Sequence, residues 1–207
     1  MNEKAQDEAD SPAIIVEIEP ACAVIRLNRP QERNKLSVAR LKELDLIVSS
    51  LILREDVRAI IFTGVEGVFA SGADINELRA LTSQTAKEFA LRGQRLFQKI
   101  AEAKQLTIAA VNGYCMGGGL DLALACQLRC ASREAVFAHP GARLGIITGW
   151  GGTQRLPRLI GTARALEIFM TARRVTSVEA METGLVNRVG DPVVECARAL
   201  ARTVLAH

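Results

Sequence analysis

The sequence predicts an α/β fold, and three observations lead there. Arg58–Thr63 and Thr107–Val111 are apolar runs that read as strands buried on both faces. Each is followed by a glycine-rich loop and then by a segment with apolar residues at helical spacing. No low-complexity linker interrupts this alternation, so one domain is assigned to 13–207, behind a polar, disordered tail at 1–12. A chain of 207 residues is long enough for one sizeable core.

In chain order, Ala13–Glu19 and Cys22–Asn28 are β-rich and separated by Pro20-Ala21, so they read as paired strands. Asn28-Arg29-Pro30-Gln31 breaks the pattern. Ser37 then stands where it can cap a helix running to about Arg54, with Leu41, Leu44, Ile47, Val48 and Leu51 on its apolar face. The strand Arg58–Thr63 leads into a glycine-rich loop, Gly64 to Asp74, and an amphipathic helix covers roughly Gln84–Ala103. Thr107–Val111 ends in a second glycine-rich loop, Asn112 to Gly119, and an apolar helix begins immediately after it. Short strands near Leu128–Ser132 and Val136–His139, a glycine loop at Gly145–Gly152 and mostly helical segments complete the chain. The two loops echo one another: strand, glycines, then an aspartate opening a helix, at Asp74 and at Asp121.

Bulk properties narrow the function. Hydrophobic residues make up 49% and charged residues 24%, ordinary for a soluble globular protein. A net charge of +3, spread over scattered Lys and Arg, is too mild to point to nucleic acid. Arg173-Arg174 and the pair Arg155 and Arg158 are the nearest approach to a basic patch. No apolar run reaches the roughly 18 residues of a membrane span, and the polar, acidic start does not resemble a secretory signal. The five cysteines are an odd number in mostly apolar settings, which fits buried, reduced thiols and a cytoplasmic location. Cys126 and Cys130 are four apart, but neither of the two histidines lies near them, so no metal site is expected.

The glycine loops carry the chemistry. Glycines at the end of a buried strand let the backbone approach a ligand closely. The free N–H groups at a following helix start point at that ligand, and the helix dipole favours negative charge there. Each loop taken alone is equally a tight turn. Two such loops side by side would supply convergent donors, an oxyanion hole for an enolate or tetrahedral oxyanion. Competing readings fail on spacing. Gly113–Gly119 does not follow G-x-G-x-x-G, no Gly-Lys-Ser/Thr makes a P-loop, and no G-x-S-x-G elbow is present.

Five motifs in order then resemble the enoyl-CoA hydratase/isomerase (crotonase) family. They are Leu27-Asn28-Arg29-Pro30 with Asn34-Lys35-Leu36-Ser37; Phe69 through Ile75; Ala110 through Gly119; Gly151 through Leu156; and Ala180 with Gly184-Leu185-Val186. The resemblance runs from about residue 13 to 200. It implies a spiral of repeated ββα units and an acyl-CoA substrate, with coenzyme A part of that substrate and no separate cofactor. It implies that the backbone N–H groups of Ala73 and Gly118 hold the thioester oxygen. Asp74, Ile75 and Asn76 would line the coenzyme A passage, with Arg33, Lys35, Ser71, Gly117 and Gly141 as further substrate-binding positions. A homotrimer or hexamer is expected from the same likeness.

The chain departs from the family pattern at Asn76, where many relatives carry a lysine, at Asp121, at Gly141 and at its C-terminal end. Asp121 stands where a hydratase carries its first glutamate, an acid/base candidate one methylene shorter; dienoyl-CoA isomerases of the family carry aspartate here. Gly141 stands where the second glutamate is expected, and glycine cannot transfer a proton. This disfavours water addition and simple double-bond isomerisation, and Gly141→Glu is expected to raise hydration. His139, two residues away, is a histidine of either structural or titrating role. Trp150 is placed either to narrow the acyl pocket or to pack. The chain also stops at His207, where relatives continue into helices that build the trimer, so the C-terminal helical segment is expected to be truncated, with exposed apolar surface left on the later helices. Within this family other enolate chemistry, such as dienoyl isomerisation, decarboxylation or thioester hydrolysis, remains open. A non-catalytic acyl-CoA-binding subunit is the alternative outside it.

Overall fold

The structure, a computed structural model, describes residues 11–206. Most of the expected tail at 1–12 therefore lies outside the described residues. Ser11 and Pro12 lie within them, and their carbonyls accept from Arg29 at 2.6 and 3.3 Å.

Strands β1 (Ile14–Glu19) and β2 (Ala21–Leu27) form the expected antiparallel pair, turning through Pro20 and a left-handed Ala21. From β2 onward the large sheet is parallel. It runs through β4 (Val57–Gly64), β7 (Leu106–Val111), β9 (Leu128–Ala131) and β12 (Arg188–Val189). A second sheet has the order β11 (Val175–Thr176), β10 (Val136–Ala138), β8 (Tyr114–Met116), β5 (Val68–Ala70). A third, two-stranded and parallel, joins β3 (Lys35–Leu36) to β6 (Gly72–Ala73). From β4 to β10 each pass of the chain lays a long strand in the large sheet, a short one in the second and then a helix, while the first pass places its short strand, β3, in the third sheet. This is the spiral of ββα units that the family resemblance implies.

The continuous apolar strands have a direct packing cause. Ile60, Phe62, Ala109 and Val111 face the main core, while Ala59, Ile61, Ile108 and Ala110 face a second one. The second core is covered by helix α8 (Val193–Leu205) through Val193, Ala197, Leu200 and Ala201. Both faces of β4 and β7 are thus dry, so neither strand alternates with polar residues.

Helix α1 (Val38–Ile52) is capped as expected: Ser37 Oγ accepts from the Arg40 N–H at 3.2 Å, and Leu41, Leu44, Val48 and Leu51 are buried. A short α2 (Ile75–Arg79) follows the first glycine loop. Helix α3 (Ser83–Ala101) begins earlier than expected because Thr82 and Thr85 make a capping box, a device worth about 1 kcal/mol. Helix α4 (Gly118–Ala125) starts within the second glycine cluster rather than after it. Beyond it come α5 (Gly152–Ile160), α6 (Thr162–Thr171) and α7 (Ser177–Glu182). The stretch read as mostly helical also contributes β11 and β12, each only two residues long and too short to carry a period of their own. Leu166 and Met170 on α6, and Val178 and Met181 on α7, are exposed.

Candidate active site

The two glycine loops meet backbone to backbone. A Cβ on Gly113 would lie 1.7 Å from the Gly67 carbonyl oxygen, one on Gly119 would lie 2.2 Å from that of Ala70, and one on Gly72 would lie 2.6 Å from the Gly118 nitrogen. No side chain tolerates such distances, so the glycines are what allow the loops to touch. Gly72 and Gly117 also have φ of 92° and 52°, a conformation that other residues rarely adopt. Ala73, the residue after Gly72, is thereby brought beside Gly118. As the first residue of α4, Gly118 has an N–H with no partner inside the helix, at the positive end of the helix dipole.

The opening motif is tied to the first of these loops by Asn34. Its buried side chain donates to the carbonyls of Val68 at 2.8 Å and Phe69 at 3.2 Å, and accepts from the Arg29 N–H at 2.7 Å. This clamp is not legible in the sequence, where Asn34 is one polar residue among several. The Ser71 N–H donates to the Arg33 carbonyl at 3.0 Å, and Lys35 pairs in register with Gly72. Arg33, Lys35, Ser71, Asp74, Ile75 and Asn76 thus form one rim.

On that rim Lys35 Nζ lies 3.0 Å from Asp74 and 3.3 Å from Glu32. The Lys35 ammonium draws Asp74 below the usual carboxylate range, and Asp74 in turn raises Lys35. Asp74 also caps α2, accepting from the Asn76 N–H at 2.9 Å. Arg33, Ile75 and Asn76 are exposed.

Asp121 is different in kind. It is fully buried, three residues inside α4, and its N–H donates to the Gly117 carbonyl at 3.1 Å. It stands in the first turn of α4, whereas Asp74 caps its helix, so the two loops differ in where the aspartate sits. Thr148 Oγ1 donates to Asp121 Oδ2. His139 Nε2 lies 3.0 Å from Oδ1. The ring does not aim an N–H along that line, and neither atom makes a hydrogen bond, so this is a close polar contact rather than a formed bond. His139 is 3% exposed, with its ring 5.0 Å from that of Phe169. Gly152 closes the group, since a Cβ there would sit 2.1 Å from Asp121 Oδ1 and 3.0 Å from His139 Nε2. Burial first, then the Asp121 charge, pushes the Cys115 thiol well up. Thr148 carried no signal in the sequence.

Gly141 lies just past His139, on the 3-10 turn Pro140–Leu144. A Cβ there would be 2.6 Å from the Ile146 carbonyl oxygen, and the Ile146 N–H donates back to the Gly141 carbonyl at 3.1 Å. Gly141→Glu would therefore have to displace the Ile146 carbonyl as well as add a carboxylate. Trp150 is lodged between helices. A Cβ on Gly93 or on Gly118 would lie 2.4 Å from its ring, which meets that of Phe89 tilted at 5.4 Å and that of Phe97 edge-on at 5.8 Å between centroids. The ring is thus packed among these residues and also covers Gly118. The two places closest to a basic patch are engaged: Arg173 pairs with Glu167 and Glu179, and Arg155 donates to the Trp150 carbonyl and to Gln98.

No helix among the described residues is long and apolar enough to cross a membrane. The sequence profile of the enoyl-CoA hydratase/isomerase family matches residues 17–206. The chain is 36% identical to the short-chain-enoyl-CoA hydratase of Clostridium acetobutylicum, over 94% of this chain and 76% of that protein. It is 41% identical to the crotonyl-CoA hydratase of Syntrophomonas wolfei, over 86% of this chain and 69% of that one. The crystal structure of an enoyl-CoA hydratase from Bacillus anthracis superposes with a TM-score of 0.89 at 36% identity, covering 95% of this chain and 78% of that one. An enoyl-CoA hydratase from Thermoplasma volcanium superposes with a TM-score of 0.88 at 32% identity, covering 94% of this chain and 78% of that one. The motifs, the fold and these likenesses agree: the chain belongs to the enoyl-CoA hydratase/isomerase family.

Proposed function

We propose that the protein acts on an acyl-CoA thioester, polarising the thioester carbonyl and moving a proton at the acyl chain through Asp121. The observation that carries this reading is the contact of Gly72 with the Gly118 amide, with Asp121 one helical turn further on. The amides of Ala73 and Gly118 would donate to the thioester oxygen as negative charge develops on it. One donor of this kind is worth roughly 3 kcal/mol of barrier. The start of α4 adds its dipole to the same oxygen.

Asp121 supplies the base. Buried next to Thr148 and away from water, it is held in one geometry, which is what proton transfer to or from carbon requires. The rim residues Arg33, Lys35, Ser71, Asp74, Ile75 and Asn76, with Gly117 and Gly141 deeper in, would take the coenzyme A portion and the start of the acyl chain. Many relatives have a lysine where this chain has Asn76, so a phosphate contact is expected to be weaker here. Crotonyl-CoA and other short enoyl-CoA thioesters are the first substrates to try, since relatives carry those names.

A screen of acyl-CoA thioesters with product identification by mass spectrometry tests the reading. Conversion or α-proton exchange of at least one thioester is expected. Tight binding with neither would favour a non-catalytic acyl-CoA-binding subunit instead. Absence of binding would overturn the assignment of the rim.

A further inference from the structure

We propose that His139 is the second proton-handling group of this site, standing in for the carboxylate absent at 141 and acting through Asp121. The proposal rests on the reading of Asp121 as the acid/base group. Its evidence is separate: Asp121 Oδ1 and His139 Nε2 are both buried, both without a hydrogen-bond partner, and 3.0 Å apart. A buried carboxylate and a buried imidazole are thus brought into direct contact from separate elements of the fold.

Placement favours a working pair. Thr148 fixes Oδ2, which leaves Oδ1 as the free edge of the carboxylate. His139 follows β10 directly, and the Ala138 carbonyl accepts from the Gly117 N–H at 2.9 Å. The imidazole is thus anchored to the loop that presents the Gly118 amide. Gly152 keeps the space between the two side chains clear. Asp121 also acts electrostatically on Arg155 from α5 and on Cys115 from β8. Neither is a carboxylate that could replace the missing one.

The proton balance is simple. Asp121 takes a proton from the acyl carbon, and the C–H electron pair moves into the enolate held by the two amides. Once the ring turns to bring Nε2 into line with Oδ1, 3.0 Å away, the proton passes from Asp121 Oδ1 to His139 Nε2, leaving Asp121 ionised and His139 an imidazolium. Reversal delivers the proton back to carbon. In water addition Asp121 takes the proton from water instead, the hydroxyl oxygen bonds to the β-carbon, and the stored proton goes to the α-carbon. The Asp121 carboxyl can itself carry one proton but cannot accept a second, and an imidazole nitrogen beside it can take the first and free Asp121 to act again. His139 touches Asp121 rather than the reacting atoms, so it is a positioning and proton-holding residue.

The test compares wild type with His139→Gln, which keeps a polar amide facing Asp121 but cannot carry the proton. With butyryl-CoA in heavy water, deuterium uptake at the α-carbon is followed by mass spectrometry. For any thioester turned over, kcat and KM are measured separately. The exchange rate and kcat are expected to fall about 10²-fold or more with KM nearly unchanged. A His139→Gln enzyme with wild-type kcat and exchange overturns the proposal while leaving Asp121 in place. A wild type that binds butyryl-CoA but neither exchanges nor turns over any thioester overturns the reading of Asp121 itself.

A second measurement does not depend on the variant being stable. The chain has only two histidines, so 15N-histidine spectra of the wild type can follow His139 directly. Adding acetoacetyl-CoA, a thioester that enolises readily, is expected to change the protonation of Nε2. An unchanged His139 signal on saturation with that thioester counts against the role.

Discussion

The two glycine loops begin alike and end in opposite ways. In the first, Asp74 caps a short helix at the surface, bound to Lys35 and to the Asn76 amide. In the second, the aspartate sits one turn inside its helix, fully buried, with Thr148 on one oxygen and His139 against the other. Three residues of helix separate a framing carboxylate from a buried one. Pattern alone brings the two loops together; position along the helix decides what each aspartate does.

The largest expected effect breaks this symmetry outright. Asp121→Asn is expected to lower kcat by about 10²- to 10⁴-fold with binding largely kept. Asp74→Asn is expected to leave kcat near wild type. Steady-state kinetics on the best thioester reads both, and equal losses would show that the loops share one role.

The glycines come next, because they differ within one loop. A Cβ on Gly72 meets the Gly118 amide at 2.6 Å with φ at 92°, whereas Gly67 has a positive φ and nothing within 4 Å. Gly67→Ala is expected to cost about 1–2 kcal/mol through backbone conformation alone. Gly72→Ala is expected to cost about 1–3 kcal/mol more through the clash and to weaken thioester binding as well. Urea denaturation together with thioester titration separates the two, and equal losses would mean that loop contact is not what Gly72 provides.

The smallest effect is the surface pair. Loss of the Lys35–Asp74 bridge is expected to cost roughly 0–1 kcal/mol, since both groups reach solvent. Lys35 holds the folded-state pKa of Asp74 below the ordinary value. Its contribution is therefore present above that value and disappears as pH falls through the folded one. The stability gap between wild type and Asp74→Asn is expected at neutral pH and should vanish in strong acid. A gap that persists there would mean the carboxylate charge is not its source.

The sequence made the long elements readable because they obey simple periods. Leu41, Leu44, Val48 and Leu51 repeat along α1, and the dry runs at β4 and β7 stand out because both faces are covered. The short strands β5, β6 and β8 were hidden inside the glycine loops and β3 in the segment before α1, since two or three residues cannot display an alternation. The candidate site divided along the same line. Ala73, Gly118 and Asp121 could be placed by motif, because each sits at a fixed offset from a glycine run. Asn34, Thr148 and the His139 contact come from distant segments folding onto one another, and local pattern does not encode them. Gly141 was visible as a missing carboxylate, but the Ile146 carbonyl that blocks a replacement was not.

The central claim is that two backbone amides hold a thioester while Asp121 moves its proton. Deuterium uptake into butyryl-CoA, measured beside calorimetric binding for wild type and Asp121→Asn, tests it most directly. The account predicts similar binding by both proteins, with exchange by the wild type and exchange at least about 100-fold slower in the variant. Equal exchange in the two proteins, or binding without exchange in the wild type, would contradict it.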